Sequence, residues 1–199
     1  MRKLGVLISG RGTNLQSLID AVAGGRLDAE IAVVISNRAG VEGLDRAHRA
    51  GLETLVLDHR PHASREAYDA TLVEALQSRE ADLVCLAGFM RVLSPVFIRA
   101  FDQRILNIHP SLLPAFPGVG AQHQAWAYGV AIAGATVHLV DDSLDGGAIV
   151  RQEAVRVLAS DTADTLAARI LEVEHRLYPE AVEDVLKGGW RIEGRRFLR

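Results

Sequence analysis

Apolar residues along the chain fall into two alternating patterns, short continuous runs and longer helical repeats. Residues 4–8 (LGVLI) form a continuous run, as in a strand buried on both faces of a parallel sheet. Leu15, Leu18, Ile19 and Val22 then recur at i, i+3, i+4 and i+7, a helix stopped by Gly24-Gly25. The same alternation predicts a strand over 31–36, a helix over 42–50 closed by Gly51, and a short strand over 54–57. Ser64 can cap a helix over 65–79, with Ala67, Leu72, Ala75 and Leu76 on its apolar side. A strand over 82–87 follows, then a helix opened by Ser94-Pro95 and running to about Phe101, then a strand ending at His109. This order predicts an α/β, Rossmann-like fold: an open, mostly parallel twisted sheet with right-handed crossovers and helices on both faces.

Beyond His109 the pattern changes. A proline- and glycine-rich loop over 114–120 precedes a short helix with Gln122 and Trp126, a strand over 134–140 carrying His138, and an acidic turn over 141–147. A strand over 148–157 leads to a long C-terminal helix, expected to open at Asp161 with Asp164 in a capping-box-like pattern. Its buried stripe is Leu166, Ile170, Val173 and Leu177, with Glu174 and His175 beside it, and Pro179 is expected to kink or break it. Gly188-Gly189 ends the helix, and residues 190–199 predict a small hairpin at the sheet edge. No internal repeat or interdomain linker interrupts the pattern, so residues 1–199 are expected to form a single domain.

Composition narrows the class. A chain of 199 residues with 49% hydrophobic and 24% charged residues is ordinary globular protein, long enough for a core without staples. A net charge of −3 gives no electrostatic reason to expect nucleic acid or a membrane surface as partner. Cys85 is the single cysteine, so an intrachain disulfide is excluded, and its apolar surroundings over 83–86 point to an inert buried thiol. No 18-residue apolar stretch occurs, and the N-terminus enters a strand directly. A cytoplasmic protein acting on small molecules, as a monomer or weak homodimer, is the expectation.

Candidate chemistry gathers at strand ends. Ser9-Gly10-Arg11-Gly12-Thr13-Asn14 joins a strand to a helix N-terminus, where backbone N–H groups and the positive dipole end attract an anion. The third glycine of a dinucleotide fingerprint is replaced by Leu15, and the next strand ends in Ser36-Asn37-Arg38 with no ribose-binding acid. A phosphomonoester fits better than NAD; a plain tight turn is the alternative. Asn107 and His109, two apart on a strand, share one face while Leu106 and Ile108 share the other. They read as a site, or as caps for the loop that follows. Gly88-Phe89-Met90-Arg91-Val92-Leu93 can lie along a flat ring or simply lead into the next helix. Arg65 stands against the dipole of its helix, either for a task elsewhere or as a surface arginine. His59 and His62 read as solvated loop residues. The acids over 141–147 lack the spacing of an EF-hand loop. Among them Asp145 is favoured as functional, since a carboxylate beside an imidazole holds it protonated. Gly10, Gly88 and His109 all fall at carboxyl ends of strands, where ligands of such sheets bind, and are expected to converge.

Together, residues 9–14, Gly88-Phe89-Met90-Arg91, Asn107-Ile108-His109-Pro110-Ser111-Leu112-Leu113-Pro114 and Leu144-Asp145-Gly146-Gly147 resemble the folate-dependent formyltransferase family, in its glycinamide ribonucleotide branch. The resemblance covers nearly the whole chain. It implies transfer of a formyl group from 10-formyltetrahydrofolate, as co-substrate, to the amine of glycinamide ribonucleotide in purine biosynthesis, without a metal. By position it makes Asn107, His109 and Asp145 the catalytic set. Gly12, Thr13, Asn14 and Glu174 match substrate contacts; Arg65, Met90, Arg91, Val92, Leu93, Asn107, Val140, Asp141 and Asp145 match folate contacts. The nucleotide half would span about 1–100 and the folate and catalytic half about 101–199. Two departures stand out: loop 118–124 lacks the histidine-rich pattern of several members, and Leu171 replaces a polar residue.

The implied chemistry suits these residue types. An uncharged amine attacks the formyl carbon, and protonated His109 with the Asn107 amide stabilises the oxyanion. Asp145 would raise the His109 pKa, directly or through water, and a proton then reaches the leaving folate nitrogen from His109 or a water. Rival readings are a formyltransferase acting on tRNA or a formyltetrahydrofolate hydrolase, each expected to need a further domain. An NAD-dependent oxidoreductase and a noncatalytic nucleotide-binding module are the others.

Overall fold

Strand β1 (Arg2–Ile8) realises the first apolar run, and its last five residues are buried. It is part of a mixed nine-stranded sheet in a computed structural model that describes all 199 residues, Met1–Arg199. The chain divides into two compact units, Met1–Leu106 and Asn107–Arg199.

In the first unit β1 is followed by α1 (Thr13–Ala23), β2 (Ala29–Ser36), α2 (Glu42–Arg49), β3 (Thr54–Val56), α3 (Arg65–Gln77), β4 (Leu83–Leu86) and α4 (Pro95–Ala100). The strand order is β3-β2-β1-β4, all parallel, so winding reverses on either side of β1. Helix α1 packs with α2, and α3 with α4. The core is aliphatic, with Tyr68, Phe97 and Phe101 as its large members. On α3 the inward side is Tyr68, Asp69, Leu72 and Leu76, whereas Ala67 is exposed and Ala75 half-buried. The expected stripe was displaced because two small alanines bury less apolar area than one tyrosine ring. Ser64 does cap α3, accepting a hydrogen bond from the Ala67 N–H. His59 and His62 are not simply solvated: both set their rings edgewise against Tyr68, at 6.0 and 5.3 Å.

Strand β5 (Ile105–His109) carries the division between the units within it. The second unit continues with α5 (Ala121–Tyr128), β6 (Ile132–Leu139), β7 (Ile149–Arg156), α6 (Ala163–Leu186), β8 (Arg191–Glu193) and β9 (Arg196–Leu198). Its strand order is β6-β7-β9-β8; β6 and β7 are antiparallel, and the β8–β9 hairpin forms the edge, as expected. Helix α6 packs on β6 and β7.

Three expectations for α6 are corrected. Its cap is Thr162, not Asp161: the Thr162 hydroxyl accepts from the Thr165 N–H, and the Thr165 hydroxyl accepts from the Thr162 N–H. Asp161 instead accepts from the Leu158 N–H at 2.8 Å and from Arg169 at 3.0 Å. Pro179 neither breaks nor ends the helix. It forgoes one backbone donor, but Tyr178, Ala181, Val182 and Val185 bury the turns around it, and that packing outweighs the lost bond. Val173 is half-buried, and Glu174 takes the inward place at 5% exposure.

Candidate active site

Two places deserve chemistry, one in each unit. In the first, β1 ends at Ser9, whose hydroxyl donates to Asn37 Oδ1 at 2.6 Å and accepts from the Met90 N–H at 2.9 Å. The ends of β1, β2 and β4 are thereby tied together where the strand order reverses, the position at which open α/β sheets bind ligands. Gly12 then turns into α1 with φ 68°, and a Cβ there would lie 2.6 Å from Gly43 Cα. Only glycine meets both demands. The Gly43 N–H donates to Gly10 O at 3.0 Å, and Arg46 Nε donates to Arg11 O at 2.9 Å, so α2 shapes the loop. No side chain caps α1 and no acid stands in its first turn. Gly12, Thr13 and Asn14 thus present a helix N-terminus suited to an anion.

The segment after β4 divides by exposure. Met90 and Val92 are 66% and 58% exposed, while Leu93 belongs to the core. Arg91 lays its guanidinium 5.2 Å from the Tyr68 ring centroid, and the Ser94 N–H donates to buried Asp69 at 2.5 Å. Arg65 is exposed at the start of α3, 3.8 Å from Glu66.

In the second unit the polar side of β5 meets β6 and the turn after it. Asp145 stands in the left-handed region at φ 50°, which aspartate tolerates better than most residues. Gly147 behind it is obligatory, since a Cβ there would lie 1.7 Å from Leu139 O. Asp145 Oδ2 accepts from the Gly118 N–H at 2.7 Å and lies 3.5 Å from His109 Nδ1. Its Oδ1 lies 3.7 Å from His138 Nε2. The other nitrogen of His109, Nε2, donates to Phe116 O at 2.9 Å, so both ring nitrogens face oxygen. Asn107 Nδ2 is 3.2 Å from His138 Nε2. Burial pushes the His138 pKa below its ordinary value, against the opposing pull of the Leu139 carbonyl and Asp145.

The loop after His109 is held in place by side chains. Thr136 donates to Ser111 O at 2.6 Å and accepts from the Leu113 N–H at 3.1 Å, while Gln152 donates to Leu113 O at 2.8 Å. Val140 is half-buried at the exit of β6, and exposed Asp141 accepts from the Ser143 N–H at 2.9 Å. Glu174 lies buried on α6. No group of three or more His, Cys, Asp or Glu side chains is placed to hold a metal ion, and no helix is long and apolar enough to cross a membrane.

The formyl transferase family model matches residues 2–182. The chain belongs to the formyl transferase family. It is 43% identical over 190 residues to the phosphoribosylglycinamide formyltransferase of Escherichia coli, covering 96% of this chain and 87% of that protein. It is 47% identical to the trifunctional purine biosynthetic protein adenosine-3 of Gallus gallus, covering 96% of this chain but only 19% of that protein. The chain therefore spans about a fifth of the length of the trifunctional relatives of Gallus gallus and Bos taurus that it matches. Among solved structures, glycinamide ribonucleotide transformylase 1 from Symbiobacterium toebii superposes with a TM-score of 0.98 at 53% identity, covering 100% of this chain and 93% of that one.

Of the residues expected at the site of this formyl transferase, Asn107, His109 and Asp145 are brought into one cluster. Sequence reasoning left His138 without a role and did not foresee Phe116, Gly118 or Gly43 as partners. The signal for His138 was available: it is the one ionisable residue in the otherwise uncharged strand 132–139. The backbone partners left no such trace, because any residue supplies a carbonyl.

Proposed function

We propose that this formyl transferase moves the formyl group of 10-formyltetrahydrofolate to the primary amine of N1-(5-phospho-D-ribosyl)glycinamide, releasing tetrahydrofolate, in de novo purine biosynthesis. The observation that carries the reading is the cluster around Asp145, one carboxylate facing two buried imidazoles with the Asn107 amide alongside. The branch follows from relatives bearing that name and covered over most of their length.

The uncharged amine attacks the formyl carbon, forming the new C–N bond and placing negative charge on the formyl oxygen. Asn107 Nδ2–H and His109 Nε2–H are the donors to that oxygen. At rest the His109 donor is occupied by Phe116 O, so the reacting oxygen must take the place of that carbonyl. Collapse breaks the bond to the folate nitrogen, and the proton lost by the attacking amine balances the one this nitrogen gains. Asp145, held by the Gly118 N–H, steadies the imidazole through that exchange.

Gly12, Thr13 and Asn14 are assigned to the nucleotide phosphate and Glu174 to holding the substrate. Arg65, Met90, Arg91, Val92, Leu93, Asn107, Val140, Asp141 and Asp145 are assigned to the folate. We read residues 1–199 as a single cytoplasmic formyltransferase domain, a monomer or weak homodimer. The test is one assay with both substrates and mass spectrometry of the nucleotide. A formyl mass gain is expected, and its absence with folded protein would overturn the assignment.

A further inference from the structure

His138 takes no step in the reaction proposed above, yet it touches two residues that do. Its Nδ1 lies 3.1 Å from Leu139 O, an atom that can only accept, so Nδ1 carries a proton. Burial holds the ring's pKa below its ordinary value of 6.5, so near neutral pH the imidazole is uncharged and Nε2 is a bare lone pair. That lone pair faces Asn107 Nδ2 at 3.2 Å and accepts one of its two hydrogens. Turning the carboxamide over would set Asn107 Oδ1 against Nε2, two acceptors at hydrogen-bond distance. The amide therefore has one stable orientation, with its second Nδ2 hydrogen left for another acceptor.

We infer that His138, as its Nδ1–H tautomer, is a positioning residue that clamps the Asn107 carboxamide so that its remaining N–H meets the developing oxyanion. This rests on the reading of Asn107 as an oxyanion donor. The clamp has a built-in failure mode. The groups acting on His138 are the Leu139 carbonyl, Asp145, Asp141 and His109, and two of these are carboxylates. A proton added at Nε2 is drawn to Asp145 Oδ1, 3.7 Å away. The ring then ceases to accept from Asn107 and competes with His109 for the same carboxylate.

The experiment compares H138L with H138Q, whose side-chain carbonyl can accept in place of Nε2, in the full chain with both substrates. H138L is expected to lose about tenfold or more in kcat while both KM values stay within about twofold, the mark of an interaction made in the transition state. H138Q should recover to within about threefold of the parent, and H138L combined with N107A should be no slower than N107A alone. Histidine ¹⁵N spectra of the parent should show the Nδ1–H tautomer at His138. Parent-like turnover in folded H138L, additive losses in the double variant, or an Nε2–H tautomer would each overturn the inference. If N107A keeps parent turnover while the tautomer is as described, the oxyanion reading fails, and the hydrogen bond is structural only.

Discussion

The glycine turn after β1 and the polar cluster around Asp145 are built on opposite principles. In the first unit the candidate anion-binding surface is backbone: Gly12 makes the turn, α1 presents its N-terminus, and Gly43 and Arg46 shape the loop from behind. In the second unit the candidate catalytic surface is side chains from β5, β6 and the turn after β6, oriented by the Gly118 N–H and the Phe116 and Leu139 carbonyls. A backbone anion site needs conformational permission, so its weak points are glycines. A side-chain cluster needs mutual orientation, so its weak points are the groups that share partners. Damage to the first should weaken binding; damage to the second should slow chemistry.

The strongest challenge to that contrast is at Asp145 and His109. H109A and D145A are each expected to lower kcat by about 10²–10⁴-fold, with nucleotide affinity within about twofold, measured by steady-state kinetics and calorimetry. A loss of affinity matching the loss of turnover would erase the distinction. G12A should do the converse, raising the KM for the phosphorylated substrate by about tenfold or more with kcat changed far less, because its Cβ must push against Gly43 and strain a left-handed turn. T162A touches neither place. It removes the α6 cap and should cost about 1 kcal/mol, seen as a fall of about 2–4 °C in the thermal midpoint with kinetic constants unchanged.

The smallest expected effect is on stability against pH. His138 binds its proton less readily in the folded chain than in the unfolded one, so between its folded pKa and 6.5 the unfolded state holds more protons. Its contribution is fully present above 6.5 and is lost as pH falls through the folded value. Denaturant titrations from pH 7.5 downward should therefore lose stability faster for the parent than for H138Q. Parallel curves would mean that burial is not what governs this imidazole.

Much of the fold was legible because strand runs and helical repeats are local signals. The glycine turn, the Ser64 cap and the edge hairpin all follow from residues close in sequence. Most of the errors fell where packing between elements outweighed a local rule; the cap of α6 is the exception. Pro179 reads as a helix breaker until the buried residues around it are known. Ala67 reads as core until Tyr68 takes the inward place, and His59 and His62 read as solvated until they meet that same ring. Asp161 and Thr162 are both good caps, and only the reciprocal bonds with Thr165 decide between them.

For the candidate site the division is sharper. Sequence alone determined that Asn107 and His109 share a strand face, because alternation along a strand is a property of the backbone. The chemistry of a carboxylate paired with an imidazole singled out Asp145 among the acids of 141–147, and the family resemblance put it in the catalytic set. Only tertiary structure decided that Asp145 faces two imidazoles, that His109 spans Asp145 and the Phe116 carbonyl, and that His138 turns its lone pair to Asn107. Those relations join residues 7 to 36 positions apart. Which ring nitrogen meets which oxygen is set by the approach of separate elements, and periodicity along the chain carries no record of that.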